Sequence, residues 1–118
     1  MSSESLLVLK SVAEWRAEIC TAFAAVGHLR QYARKAPIFV QGEPATAAFG
    51  VKSGMIELAA VNEAGHEIGY SIRRAGEAFG FAEIVLGQDR TRSAMALEDS
   101  ELWVVSKDDV LTMLVTRP

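Results

Sequence analysis

Glycines at positions 42, 54, 65 and 76 recur every 11 or 12 residues, and that rhythm constrains the fold of this chain more than any other feature. Each of them can supply the positive φ that a tight turn needs. Turns at this spacing mark short strands folding back on one another in an all-β sandwich or barrel. The segments between them agree: APIFVQ runs into GEPA, AAFGVKSG into MIELAAV, and NEAGHE turns into IGYSI before Gly76-Glu77 closes the series. Further on, AMAL and ELWVV read as two more strands joined through the acidic turn Glu98-Asp99-Ser100.

Helical periodicity frames this β region. Val12, Trp15, Ile19, Ala22, Phe23 and Val26 recur at steps of three and four, which predicts a helix from about Ser11 to Val26 with one apolar stripe. Gly27 is its natural stop, and Trp15 and Phe23 are expected to pack against the β-roll or against the C-terminal helix. Ser106 precedes Asp109 by three, a short-carboxylate form of the capping box, so a second helix is expected over 106–116 with Val110, Leu111 and Leu114 on its apolar side. No helix alternates with the strands, which disfavours a parallel α/β sheet. The order helix, about eight strands, helix predicts a mainly β fold, a double-stranded β-helix or jelly-roll-like β-roll with flanking helices. Residues 1–27 form the expected N-terminal helical segment and 28–118 the β-roll.

At 118 residues the chain has the size of one domain. Its net charge of −3 is the wrong sign for a DNA-contacting surface. The single cysteine, Cys20, can form no internal disulfide and is expected to be a buried, inert thiol. His28 and His66 stand apart, and His66 is expected to be exposed in its turn, so no metal, haem or required cofactor is expected. The apolar run Leu6–Leu9 is too short for a signal-peptide core or a membrane span, and a cytoplasmic protein is expected with no membrane partner. There is no Gly-x-Ser-x-Gly elbow and no Cys/His pairing, and GHE alone is too little for a cupin-type metal enzyme. An enzyme is therefore not expected.

One stretch interrupts the β pattern. FGFAEIVLGQDRTRSA, residues 79–94, holds good helix formers from Phe81 to Leu86 and a stop at Gly87, which predicts a single helical turn inside the roll. The N-terminus of such a turn leaves N–H groups near residues 82 to 84 without partners, a setting that suits an anion. Arg92 adds a planar guanidinium able to hold a phosphate through two hydrogen bonds. Ser93 and Ala94 are small enough to let a ligand near the backbone, where free N–H groups are again expected. Glu83 suits hydroxyl groups such as those of a ribose. Arg90 is expected to point to solvent, and the pair Arg73-Arg74 to be half solvated strand and half salt bridge.

The order GEPA…VKSGMIEL…AGHEIG…GEAFG…AEIVL…RSA…EDSELWVVSKDDV resembles the cyclic-nucleotide-binding domain of the Crp/Fnr (catabolite activator) regulators over roughly residues 28–115. In that family the phosphate-binding cassette reads Gly-Glu-hydrophobic, then an Arg about nine residues after the Glu, followed by a small residue and Ala. The glutamate binds the ribose 2′-hydroxyl and the arginine binds the cyclic phosphate. Two registers are open. With Gly80 as the family glycine, Phe81 falls on the glutamate position. With Ala82 in the glycine's place, Glu83 is the glutamate and Arg92 lies nine residues on, and this second register is preferred. The resemblance thus implies a ligand-sensing module that binds a cyclic nucleotide, cAMP or cGMP, through Gly80, Ala82, Glu83, Ile84, Arg92, Ser93 and Ala94. The alternative is a degenerate domain with an empty pocket, Arg92 pairing with Glu83 or Asp89, that serves as a dimerisation or protein-interaction module. A homodimer is an open partner beside the nucleotide. Crp/Fnr regulators continue into a long dimerisation helix and a helix-turn-helix, whereas this chain ends at Pro118. The segment itself is expected not to contact DNA, whether it is the sensor of a longer regulator or a stand-alone relative.

Overall fold

A computed structural model describes residues 11–116. The elements follow in the order α1 (Val12–Val26), β1 (His28–Tyr32), β2 (Pro37–Phe39), β3 (Ala47–Ser53), β4 (Met55–Val61), β5 (Glu67–Arg74), β6 (Ala78–Phe79), α2 (Ala82–Leu86), β7 (Ser93–Ala96), β8 (Ser100–Ser106) and α3 (Lys107–Thr116). The strands form two four-stranded sheets, β1-β8-β3-β6 and β2-β7-β4-β5. Every pairing is antiparallel. This is the jelly-roll-like β-roll with flanking helices that the turn rhythm predicts. The four turn glycines all take positive φ, between 82° and 100°. Gly54 is constrained twice over: its φ is +100°, and a Cβ there would lie 2.1 Å from the Ser100 hydroxyl oxygen. That hydroxyl accepts from the Met55 N–H at 3.2 Å and donates to the Glu98 carbonyl at 2.8 Å, tying the β3–β4 turn to β8.

The two faces of the first sheet explain its sequence. Phe49, Val51 and Leu102 point inward with Phe39, Ile56, Leu58, Phe79, Ala94 and Ala96 to fill the space between the sheets. Ala48, Ala78 and Val105 point outward and are covered by Cys20 and Phe23 of α1, Ile84 of α2 and Val110 of α3. Because β3 is covered on both sides, Ala48-Phe49-Gly50-Val51 is a continuous buried run, whereas β4, wet on one face, alternates Ile56, Leu58 and Ala60 with half-buried positions. The aromatic centre is a close group: Phe49 and Phe79 stack with ring centroids 5.2 Å apart, and Phe39 sits 5.9 Å from Phe49.

Both terminal helices start with serine caps, the one at Ser106 as expected. Ser11 Oγ accepts from the Glu14 N–H and Ser106 Oγ from the Asp109 N–H, each at 3.1 Å. The apolar stripe of α1 is narrower than its spacing predicts. Phe23 and Cys20 are buried as expected, but Trp15 keeps 40% of its surface exposed and Val26 52%. The helix crosses the sheet at Cys20 and Phe23, so its two ends overhang. Leu111 of α3 is likewise exposed. The Leu6–Leu9 run and the side chains of Val12 and Leu114 lie outside the described residues. Burial raises the Cys20 thiol above its ordinary value of 9.0, and Glu77 adds to this, against a long contact to the Val51 carbonyl at 3.9 Å. It is a structural thiol.

Candidate functional site

The stretch at 79–94 leaves β6 through a left-handed glycine. Gly80 has φ +79°, and a Cβ there would lie 3.2 Å from both Arg90 Nη1 and a Phe49 ring carbon. This backbone turns the Gly80 carbonyl toward Arg90. The expected helical turn follows as α2, closed by Gly87 in the left-handed region (φ 67°), with the Gln88 N–H donating to the Glu83 carbonyl at 2.8 Å. At the other end, Ala82, Glu83 and Ile84 have no intrahelical acceptor for their N–H groups, as at any helix start.

Arg90 does not point to solvent. Only 4% of it is exposed, and its guanidinium donates to the Gly80 carbonyl at 2.7 Å, to Glu83 Oε1 at 3.1 Å and to the Ala47 carbonyl. It also lies flat over the Phe39 ring, 3.9 Å from the centroid. Its backbone is pinned as well, donating to Glu43 O and accepting from Gly42 N–H at 2.8 Å each. The physical reason is demand for donors: the turn at Gly80 and the end of β3 each present a buried carbonyl, and one planar guanidinium satisfies both together with the Glu83 carboxylate. The carboxylate expected to serve a ribose is therefore held by Arg90, not by Arg92.

Arg92 faces elsewhere. It donates through Nη1 to Ser71 Oγ at 3.2 Å, and Arg73 Nη1 donates to the same oxygen at 3.0 Å. No described carboxylate lies within ion-pair distance of either guanidinium. Arg73 is 5% exposed, so the expected solvated or salt-bridged arginine is instead buried with no described carboxylate within ion-pair distance, while Arg74 beside it is exposed. Burial, then the neighbouring Arg16 and Arg92, pull the Arg73 guanidinium down from its ordinary value to about 10, with Glu77 opposing. It stays charged at neutral pH, and its Nε, like that of Arg90, has no hydrogen-bond partner. These groups open on a cavity of about 280 Å³ walled by Arg16, Arg73 and Arg92, by Trp15 and Ile19 of α1, and by the cassette from Gly80 to Glu83.

Of the residues the sequence singles out, Gly80, Ala82, Glu83 and Arg92 thus line one cavity. The others do not reach it. Ile84 is packed in the outer core. Ser93 Oγ accepts from the Gln41 N–H at 2.9 Å. Ala94 lies within β7, opposite Phe39 on one side and Leu58 on the other, so the ladder has first claim on its backbone in place of the free N–H groups expected there. Asp89, His28 and His66 are exposed, and no three His, Cys, Asp or Glu side chains come together as a metal site among the described residues. The sequence passes over Ser71 and Arg16 and gives Arg73 no part in the site. A usable signal exists for two of them: the β4–β5 register sets Arg73 opposite Ile56 and Ser71 opposite Leu58, so both share the core-facing side of the sheet.

Comparison with known proteins agrees with this fold. The family model described as "Cyclic nucleotide-binding domain" matches residues 29–117. The cyclic AMP receptor protein of Thermus thermophilus is 33% identical over 89 residues, covering 75% of this chain and 41% of that protein. The global nitrogen regulator of Synechococcus elongatus is 30% identical over 92 residues, covering 76% of this chain and 41% of that protein. This chain therefore spans about two-fifths of the length of these curated relatives. Among solved structures, the EAL enzyme Bd1971 in its cGMP-bound form superposes with a TM-score of 0.70 at 27% identity, over 77% of this chain and 24% of that one. No helix among the described residues is long and apolar enough to cross a membrane. A roll of eight antiparallel strands, a cassette closed by a left-handed glycine and a short helix, and the match over residues 29–117 together establish that this chain belongs to the cyclic-nucleotide-binding domain family of the Crp/Fnr regulators.

Proposed function

We propose that this chain is a ligand-sensing module that binds a small phosphate ligand of the cyclic-nucleotide class in the cavity between the cassette and β5, as the sensor of, or a relative of, a Crp/Fnr-type transcription regulator and not as an enzyme. The observation that carries the reading is the pair Arg73 and Arg92, which share one serine hydroxyl and face a cavity lined by Gly80, Ala82 and Glu83. Two guanidiniums held together with no described carboxylate in ion-pair reach suit an anion that arrives from outside. The names of a cyclic AMP receptor protein and of a cGMP-bound structure among the similar proteins support the ligand class. Arg92 supplies the phosphate contact, and the wall from Gly80 to Glu83 faces the rest of the ligand.

Titration with cAMP and cGMP, read by calorimetry and by thermal unfolding, tests this. Ligand at 100 times its dissociation constant is expected to add about 2.7 kcal/mol to the unfolding free energy, and Arg92→Ala is expected to remove most of that gain. A protein whose unfolding is unmoved by either nucleotide at millimolar concentration would refute the reading. The Glu83–Arg90 ion pair at 3.1 Å favours a second one, in which the cassette is closed on itself and the domain serves as a dimerisation or docking module. An unliganded protein that dimerises while binding neither nucleotide is the result that this second reading requires.

A further inference from the structure

Strand β5 is inverted relative to its neighbour. In a half-buried strand the apolar residues face the core, yet Ile68 and Tyr70 of β5 are 64% and 56% exposed while Arg73 is 5% exposed. The cause is the β4–β5 register, which sets Ser71 and Arg73 beside the core residues Leu58 and Ile56. A polar inner face beside a packed aromatic core costs stability and is kept where it has a use. The inner face of β5 lies one strand away from that of β7, across β4, and Arg92, just before β7, spans that gap to Ser71 of β5. Arg16 reaches the same cavity from α1.

Charge at this cavity is lopsided. Three guanidiniums line it, and Glu83, which also lines it, is already held by Arg90. The phosphodiester of a cyclic nucleotide carries one negative charge. A phosphomonoester carries nearly two at neutral pH and offers three terminal oxygens as acceptors. We propose that the cavity takes a phosphomonoester dianion, gripped by Arg73, Arg92 and Arg16, in preference to the singly charged phosphodiester of a cyclic nucleotide. The proposal rests on the reading of this cavity as the sensing site and names the charge that the site selects. The volume of about 280 Å³ lies just below the usual range for ligand pockets, so the ligand is compact. Ser71 already bridges two of the guanidiniums and holds them near one point, where two oxygens of one phosphate accept from both.

The test is calorimetric titration of the whole chain at pH 8, in buffer free of phosphate and sulfate, with AMP, cAMP and inorganic phosphate. AMP and cAMP share the base and differ in phosphate charge and in the 3′-ester that closes the cAMP ring, so the fall of their ratio in the arginine variants reports the charge. AMP is expected to bind roughly 10- to 100-fold more tightly than cAMP. Inorganic phosphate is expected to compete with AMP; equal affinity of the two would identify the phosphate group alone as the determinant, and weaker phosphate binding would identify a nucleotide monoester. Arg73→Met is expected to bring the AMP-to-cAMP ratio close to one. Arg92→Gln and Arg16→Gln, at half-exposed positions, are expected to lower the same ratio and serve if the Arg73 variant does not fold. Equal or tighter binding of cAMP overturns this proposal while leaving the sensing role in place. A ratio unchanged in all three variants also overturns it. Absence of binding by all three probes overturns both the proposal and the sensing role.

Discussion

Arg90 and Arg73 are buried to nearly the same degree, 4% and 5% exposed, yet their surroundings are opposite. Arg90 has a carboxylate, two backbone carbonyls and an aromatic face around it, all from this chain. Arg73 has a serine hydroxyl, a poorer contact of 3.4 Å to the Ile72 carbonyl, and two other arginines nearby. Burial of a charge is tolerated when the charge is paired and hydrogen-bonded and costs stability when it is not. The first arginine is a strut that joins the cassette to β3. The second, on the function proposed above, is a receptor group held in place at the expense of the fold.

The contrast yields measurable differences, of which the largest belongs to the strut. Arg90→Met is expected to lower the unfolding free energy by about 3–5 kcal/mol, because Glu83 would be left buried without its partner. Denaturant unfolding measures this, and a loss under about 1 kcal/mol would show that the ion pair is dispensable. Next is the coupling between the two partners. Glu83→Gln is expected to cost about 1–3 kcal/mol less in the Arg90→Met background than alone, as a double-mutant cycle reads it, and additive losses would contradict the pairing. Arg73→Met is expected to act with the opposite sign, raising the stability of the unliganded domain by about 1 kcal/mol while removing its response to anions. A stability loss comparable to that of Arg90→Met would place Arg73 among the struts. Smallest is Arg74→Ala, expected to change stability by no more than about 0.5 kcal/mol, since that side chain is exposed. This neighbour supplies the baseline for judging the Arg73 effect.

Much of the framework is legible in the sequence because local chemistry decides it. Turn glycines need positive φ, Ser11 and Ser106 offer cap oxygens, and Gly87 ends a short helix, so each is visible in a window of a few residues. The site is less legible because register and orientation decide it. In IGYSIRR the apolar residues Ile68, Tyr70 and Ile72 mark the face that alternation alone would turn inward, but the hairpin at Asn62–His66 fixes the opposite one. A slip of one residue exchanges the faces of a strand, and nothing within β5 itself reveals which face wins. The placement of Arg90 is misjudged for a related reason. Counting residues from Glu83 finds Arg92, but the carbonyls that claim Arg90 belong to Gly80 and Ala47, and Ala47 lies 43 residues away. The strand β1 hides for a simpler reason: Tyr32 is its one buried side chain, so it carries no alternation.

Trp15, Ile19 and Phe81 belong to two walls at once. On one side they bound the arginine cavity; on the other they bound an apolar groove, also of about 280 Å³, that runs to Val110 and Met113 of α3. The two spaces share a partition, and neither can change shape without redrawing the other. A rotamer change of Trp15, or a shift of α1 by part of a turn, alters the bearing surface under α3 through steric contact alone. The overhanging end of α1 thus stands between the arginine cavity and α3, and its residues belong to the lining of both spaces.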